Sequence, residues 1–153
     1  VAKLNVPIIL MHIKGNPETM NQLTDYQDLM GEIYSFLERQ IAIAIDAGIS
    51  LEKIIIDPGI GFAKNYEQNL EIFRRLRAIA SLNCPILVGP SRKSFIGRIL
   101  NQPDAKARVW GTAAACCAAI FNGADILRVH DVKEMRDVSL VADALVRHSP
   151  HRD

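Results

Sequence analysis

Three short apolar segments recur along the chain, and each ends abruptly in polar, charged or Gly/Pro residues. They cover residues 54–57, 86–88 and 126–129, and residues 7–11 form a further predicted strand. Segments of this length are too short for typical helices, and their richness in β-branched residues is typical of strands buried on both faces. Such strands are usually parallel, so the pattern predicts a parallel sheet covered by helices.

The segments between these strands carry apolar residues at helical spacing. Residues 26–47 repeat an apolar position every four residues, and Gly48 is a plausible end of that helix. Asn65 and Gln68 resemble a capping box that begins the second helix. A strand that is followed by a helix is the βα unit of α/β proteins.

The second half of the chain continues the alternation. A short helix is predicted over residues 94–100, and a longer one runs from the break at 101–104 to about Gly123. Asp131, with Glu134 three residues later, predicts the start of the last helix. Its predicted buried stripe consists of Met135, Val138, Ala142 and Leu145.

The chain thus contains four βα units. A closed (β/α)₈ barrel needs about 250 residues, and this chain has 153. The units therefore predict either a small open sheet or half of a barrel. The predicted domain covers residues 1–148 and is followed by a polar tail over 149–153, in which His148 and His151 have no recognisable role.

Composition narrows the class of protein. Hydrophobic residues make up 49% of the chain and charged residues 23%, which indicates a globular domain. A formal charge of +1 gives no general reason to expect a nucleic acid or a membrane as partner. No apolar stretch approaches the ~20 residues that span a bilayer. Because the chain begins with Val1 rather than Met, we expect a piece of a longer protein.

The three cysteines show no metal-ligand or disulfide spacing. Cys116 and Cys117 lie in a run of small residues, which predicts small core residues of a tightly packed helix. Reduced thiols and the absence of a basic-then-apolar leader predict a cytoplasmic protein.

The carboxyl ends of the predicted strands carry the candidate chemistry. Asp57 ends the second strand, Lys93 follows the third, and Arg128 and His130 lie at the end of the fourth. The carboxyl ends of parallel strands meet at one edge of a sheet, where α/β proteins place their active sites. We therefore expect these side chains to converge on one site.

Asp57 begins the segment Asp-Pro-Gly-Ile-Gly-Phe, in which glycines allow close backbone approach to a ligand. A carboxylate accepts two hydrogen bonds and so suits the amino and ring N–H groups of a guanidine-like heterocycle. The alternative is that Asp57 only caps the turn. Phe62 adds a stacking surface to the same loop and favours the ligand role.

The segment Gly-Pro-Ser-Arg-Lys-Ser, residues 89–94, leads into the predicted short helix. Helix N-termini attract anions, and Arg92 and Lys93 add positive charge, although a basic pair is often only solvated surface. The segment is not a P-loop, because the glycine spacing differs.

Arg128 and His130 alternate along the predicted fourth strand, so both side chains should point the same way. A diphosphate is a natural partner, since the planar guanidinium fits it. An internal ion pair with Asp131 or Asp57 is the alternative. His12 alone would be structural.

These motifs together resemble the dihydropteroate synthase family, the folate-pathway enzymes inhibited by sulfonamides. The resemblance is carried by Met-His-Ile-Lys-Gly-Asn-Pro at residues 11–17, by residues 57–62, by Ser-Arg-Lys-Ser at 91–94 and by Arg-Val-His-Asp at 128–131. It implies a (β/α)₈ barrel of which this chain covers strands 5–8. It also implies that the enzyme joins 4-aminobenzoate to the diphosphate ester of a hydroxymethyl dihydropterin.

The resemblance assigns roles to individual residues. Asp57 would hold the pterin, with Lys93 beside its carbonyl group and with Met11 and Gly89 lining the pocket. Arg128 and His130 would grip the diphosphate. Phe62 and Ser94 would border the aminobenzoate pocket, and Arg92 would support the same corner. Lys93, Arg128 and His130 are the expected catalytic residues.

The resemblance also implies what this chain lacks. The Asn and Asp residues that the family carries on its earlier strands, which help bind Mg²⁺ and pterin, have no counterpart here. The chain alone should therefore be an incomplete catalyst with no metal ligand of its own, and the full-length parent should be a homodimer. Two alternatives remain: a pterin-binding corrinoid-dependent methyltransferase, and a non-catalytic half-barrel that binds pterin or a partner subunit.

Overall fold

A computed structural model describes residues 1–147 of the chain. Residues 148–153, with the predicted domain end at 148, the polar tail and both of its histidines, lie outside the described residues. The described part alternates strands and helices, as expected of an α/β fold. Its strands are β1 (Ile8–Met11), β2 (Ile54–Asp57), β3 (Leu87–Val88) and β4 (Ile126–Leu127).

The strands are parallel and run side by side in chain order. β1 pairs with β2, with Met11 opposite Asp57, and β3 pairs with β4. A parallel bridge between Ile56 and Ile86 joins the two pairs. This arrangement confirms the predicted parallel sheet, and it brings all four carboxyl ends to one edge.

The fourth strand is shorter than the predicted 126–129. It ends at Leu127, although the backbone N–H of Arg128 still donates to Val88 O at 3.0 Å. The neighbouring β3 has only two residues, so the pairing stops early and Val129 and His130 lie in a loop. Alternation along a strand therefore cannot be the reason why Arg128 and His130 point together.

Five α-helices lie between and after the strands in the described part of the chain. They are α1 (Leu29–Asp46), α2 (Tyr66–Arg75), α3 (Ser94–Ile99), α4 (Val109–Phe121) and α5 (Val132–Val146). A 3₁₀ segment, Leu76–Leu82, extends α2. None of these helices combines the length and hydropathy that crossing a membrane requires.

Two predicted helix ends are confirmed. Gly48 follows α1 with a φ of +89°, a conformation that favours glycine. The capping box of α2 is present in both directions: Asn65 Oδ1 accepts from the Gln68 N–H at 3.0 Å, and Gln68 Oε1 accepts from the Asn65 N–H at 2.7 Å.

The predicted start of α5 is confirmed, because Asp131 immediately precedes its first residue, but the predicted stripe is partly wrong. Asp131 makes no capping hydrogen bond, because its carboxylate is bound to Arg92. Met135 and Ala142 are buried and Val138 is half-buried, but Leu145 is 75% exposed. No segment within residues 1–147 packs over Leu145 to bury it.

The core lies between the helices and one face of the sheet. Ile54 and Ile56 are fully buried there with Ile33 and Leu37 of α1. The opposite face of β1 is open, since Ile9 is 51% exposed. The predicted burial on both faces is confirmed for β3, but Ile55 of β2 and both residues of β4 are only half-buried. An open inner face is what half of a barrel would show.

The cysteines are free. Cys84 and Cys116 are buried and Cys117 is half-buried. The interpretation as small core residues is confirmed for Cys116 but not for Cys117.

Candidate active site

Asp57 occupies the centre of the carboxyl edge. It is 3% exposed, and its Oδ1 accepts the Gly59 N–H at 2.7 Å. The turn-capping alternative is therefore correct for Oδ1, while Oδ2 accepts no hydrogen bond from residues 1–147. Burial raises the pKa of Asp57, and this effect is opposed by the Gly59 N–H and by the charges of Arg128, Lys64 and Lys93.

Lys93 lies above the loop that follows Asp57. Its Nζ is 4.0 Å from the ring centroid of Phe62, a cation–π contact. Gly61 passes so close to the lysine that a Cβ there would lie 2.9 Å from Lys93 Cδ. Burial, together with the nearby charge of Arg128, lowers the pKa of Lys93. This amine is thus held beside an aromatic surface and the buried carboxylate.

A cavity of about 270 Å³ opens next to Lys93. Its lining contains three cationic or titratable side chains and no carboxylate, which suits an anionic ligand. Gly89, Lys93, Arg128 and His130, all predicted, meet here. The lining residues are Gly89, Ser91, Lys93, Arg128, Val129 and His130.

Ser91 orients His130. The serine Oγ accepts the His130 backbone N–H at 3.2 Å and lies 2.9 Å from His130 Nδ1. Because Nδ1 is engaged in this way, Nε2 is the ring nitrogen left to contact a ligand. This contact across 39 residues, rather than strand alternation, places His130 beside Arg128.

Arg92 is paired with Asp131, a carboxylate 39 residues away. Its guanidinium holds both carboxylate oxygens of Asp131, at 2.6 and 3.2 Å. This pairing lowers the pKa of Asp131 and uses the carboxylate proposed as a partner for Arg128 or His130. The forked end of Arg92 is therefore occupied by Asp131, and its part in supporting the corner of the site stays a prediction.

The turn around Arg92 is strained and is held by hydrogen bonds from two other side chains. Arg92 has a φ of +60°, which is uncommon for a residue other than glycine. Its backbone N–H donates to the Thr112 hydroxyl at 3.0 Å, and its carbonyl accepts from Arg108 Nη1 at 2.9 Å. Strained backbone of this kind is often found at functional sites.

Other predicted residues lie around the cavity rather than in its lining. Met11 lies opposite Asp57 across the strand pair, and Phe62 touches Lys93. Ser94 is exposed and begins α3. His12 is structural as predicted: it is 2% exposed and packs edge-on against Phe36, with ring centroids 4.9 Å apart.

Sequence reasoning missed Lys64, Asn69 and Ser91, all of which are buried. Asn69 Oδ1 accepts the Gly61 N–H at 2.7 Å, so this side chain holds the glycine loop. It is a polar residue within the buried stripe of α2, beside Ile72 and Phe73. A polar residue within an apolar stripe was the signal that could have identified it.

The described residues offer no ready-made metal site. Among residues 1–147, no group of three or more His, Cys, Asp or Glu side chains is arranged to hold a metal ion.

The sequence profile of the pterin binding enzymes matches residues 1–130. This chain belongs to that family. It is 59% identical over 146 residues to the dihydropteroate synthase of Synechocystis, a match that covers 95% of this chain and 50% of that protein. The chain thus spans about half the length of this relative.

Solved structures of the family agree with the fold. The Yersinia pestis dihydropteroate synthase in complex with a sulfonamide drug superposes with a TM-score of 0.91 at 40% identity, covering 94% of this chain and 52% of that one. The Thermus thermophilus enzyme in complex with 6HMPPP gives a TM-score of 0.89 at 40% identity, covering 94% and 57%.

Because these relatives are about twice as long, tests of function require a complete barrel. By this we mean the present chain together with the units that its relatives carry beyond the matched half. These units can be supplied from the Synechocystis relative, or from the gene of this chain where it encodes them.

Gly59→Ala in the complete barrel should destabilise the fold strongly. A Cβ at this position would lie 2.0 Å from the His12 carbonyl oxygen, and φ is +75°. Gly48→Ala is the matched control, since its φ is +89° but nothing lies within 4 Å. We expect the control to lose about 1–2 kcal/mol and Gly59→Ala to lose more than about 3 kcal/mol.

Urea denaturation measures both losses as free energies of unfolding. Equal losses would show that the loop moves away from His12 and that the close approach is not required.

Proposed function

We propose that the complete protein is a dihydropteroate synthase to which this chain contributes strands 5–8. It would condense 4-aminobenzoate with (7,8-dihydropterin-6-yl)methyl diphosphate to give 7,8-dihydropteroate and diphosphate. The observation that carries this proposal is the cavity that joins Lys93, Arg128 and His130 beside the buried carboxylate of Asp57. The site thus offers an anion pocket next to an acceptor for N–H groups.

Solved relatives support the two substrates. One structure of the Thermus thermophilus synthase contains 6HMPPP, and another contains 4-aminobenzoate. The placement at strands 5–8 is supported by four parallel strands in chain order. It is also supported by β1, whose outer edge has no strand beside it within residues 1–147 and whose inner face is exposed at Ile9.

The pterin end of the site follows from charge and shape. Asp57 would accept the pterin amino and ring N–H groups, because a buried carboxylate binds two adjacent donors well. Lys93 would donate to the pterin carbonyl oxygen from its position above Phe62. Met11 and Gly89 would line this pocket.

The other end of the site would hold the leaving group and the second substrate. Arg128 and His130 would bind the diphosphate, with Ser91 orienting the imidazole. Phe62 and the exposed Ser94 would border the aminobenzoate.

The reaction can be written from these contacts. The bond between the pterin methylene carbon and the diphosphate oxygen breaks, and its electron pair leaves with the diphosphate. The dihydropterin ring stabilises the methylene cation until the neutral amine of 4-aminobenzoate forms the new C–N bond and loses a proton. Arg128 and His130 would stabilise the departing negative charge, which is the step that most needs the protein.

The Mg²⁺ ion that the family resemblance implies would be bound by units outside the matched half, since residues 1–147 contain no group of three or more candidate ligands. We also propose that the complete protein is a cytoplasmic homodimer. Sedimentation of the complete barrel and fractionation of cells would test these two points.

The cavity lined by Lys93, Arg128 and His130, called the anion cavity below, favours the synthase over the alternative functions. A corrinoid-dependent methyltransferase would share a pterin pocket but has no diphosphate for Arg128 and His130 to bind. A non-catalytic half-barrel would need neither residue.

The proposal is tested by incubating the complete barrel with the dihydropterin diphosphate ester and 4-aminobenzoate. We expect equal amounts of dihydropteroate and diphosphate. Pterin binding without turnover would favour the non-catalytic half-barrel, and methyl transfer from a methylated folate would favour the methyltransferase.

Arg128→Lys in the complete barrel should weaken diphosphate binding about tenfold or more and leave 4-aminobenzoate binding nearly unchanged. The reason is that lysine presents a point charge where arginine presents a planar fork. Calorimetric titration with each ligand separately measures the two effects. Equal losses for both ligands would indicate that Arg128 acts structurally.

A further inference from the structure

Lys64 is a buried lysine at the end of the loop that follows Asp57. It is 8% exposed, its Nζ lies 3.0 Å from His12 Nδ1, and it donates to the Phe62 carbonyl at 2.9 Å. The same Nζ is 3.3 Å from the point where a Cβ on Gly59 would lie. Lysine is almost never buried without specific partners, because removing its charge from water is costly. Burial indeed lowers the pKa of Lys64 to about 7.

The contacts of Lys64 join two separate parts of the carboxyl edge. His12 follows β1, and its backbone N–H donates to the Asp57 carbonyl at 2.9 Å. Phe62 ends the glycine loop that follows β2. The Lys64 amine therefore fastens the loop that contains Gly59 and Phe62 to the end of the first strand.

Lys64 also contributes charge to Asp57. The positive groups that act on this carboxylate are Arg128, Lys64 and Lys93. His12 is not one of them at neutral pH, because burial lowers its pKa to about 3. Lys93 and Arg128 line the anion cavity, whereas Lys64 does not line that cavity.

We propose that Lys64 is a positioning residue that holds the Asp57–Phe62 loop against β1 and keeps Asp57 ionised for the pterin. This inference rests on the proposed function. When substrate is bound, Lys93 and Arg128 contact the pterin carbonyl and the diphosphate, and Lys64 remains as the cation that stabilises Asp57. Lys64 itself touches no reacting atom.

The test compares Lys64→Met with the wild type in the complete barrel. Affinity for the dihydropterin diphosphate ester is measured calorimetrically between pH 5 and 8. Binding requires an ionised Asp57, so it weakens as the pH falls through the pKa of that group. Removing a nearby positive charge raises this pKa, so the acidic loss of binding should move to higher pH. At pH 6 we expect at least tenfold weaker pterin binding and little change for 4-aminobenzoate.

Two further variants make the result specific. Lys64→Gln keeps a donor for the Phe62 carbonyl but lacks the charge, and it should show the same pH shift even if Lys64→Met folds poorly. Lys64→Arg keeps the charge, so its loss of pterin binding at acidic pH should occur at the same pH as in the wild type. Lys133→Met, at an exposed position in α5, is the control and should match the wild type.

The outcomes separate the two proposals. If the loss of pterin binding at acidic pH occurs at the wild-type pH in both Lys64→Met and Lys64→Gln, the proposed role of Lys64 is overturned. The synthase assignment would remain intact in that case, provided that the wild type makes dihydropteroate. Parallel weakening of both substrates without a pH shift would reduce Lys64 to a structural residue. A wild-type complete barrel that makes no dihydropteroate would overturn the proposed function and this inference with it.

Discussion

Lys93→Ala in the complete barrel is expected to lower kcat/KM by about 100-fold or more, which corresponds to about 2.7 kcal/mol of lost transition-state stabilisation. Lys93 is half-buried above Phe62, beside the anion cavity, and its charge acts on Asp57. Alanine removes the donor to the pterin carbonyl and one of the positive charges that face the leaving group. Both effects should be larger in the transition state than in the bound ground state.

The measurement is steady-state kinetics with both substrates, together with a thermal melt. Lys106→Ala is the matched control, because Lys106 is exposed and lies outside the cavity lining. The melting temperature of Lys93→Ala should stay near that of the wild type. Near-normal turnover would contradict the assignment of Lys93, and a large drop in melting temperature would show that its role is structural.

The strands and the chemistry at their ends were predictable because both are local. A short run of β-branched residues that ends in a charged residue leaves few structural options, and β2 has the predicted bounds, Ile54–Asp57. The capping box of Asn65 and Gln68 is local in the same sense, since its partners lie three residues apart. Local patterns identified the elements and the edge at which they end.

Contacts between distant residues were not predictable from such patterns. Asp131 has the sequence position of a helix cap, but Arg92, 39 residues earlier, provides a stronger partner for its carboxylate. Lys64 and His12 are 52 residues apart, and no pattern links them until the parallel pairing of β1 and β2 brings their loops together. The buried residues that hold the strand ends in place were therefore missed, while the residues at the strand ends themselves were named as candidates.

The burial predictions failed where no covering residues lie among residues 1–147. β4 was assigned to the strands buried on both faces, and Leu145 was assigned to a buried stripe, yet Ile126 and Leu127 are only half-buried and Leu145 is exposed. Their apolar patterns are those of buried positions. In physical terms, a pattern records that a residue is covered in the whole protein, and it does not record which segment provides the cover.

The 153-residue chain alone is expected to make no dihydropteroate and to self-associate. The outer edge of β1 and that of β4 have no strand beside them in residues 1–147, and Ile9 exposes an apolar side chain on the inner face. Unpaired strand edges and exposed apolar surface favour association. A formal charge of +1 offers little electrostatic repulsion against it.

Supplying the missing units as a separate chain should restore part of the activity, because all βα units contribute to one shared edge and the new strands can pair with β1 and β4. Sedimentation velocity and a product assay, with and without the added half, measure both effects. An unrelated half-barrel of similar size is the control and should restore nothing. A well-folded monomer of the chain alone would contradict the half-barrel interpretation, because its strand edges would then need no partner. Robust synthesis by the chain alone would also contradict it, because Asp57, Lys93, Arg128 and His130 would then suffice without the other strands.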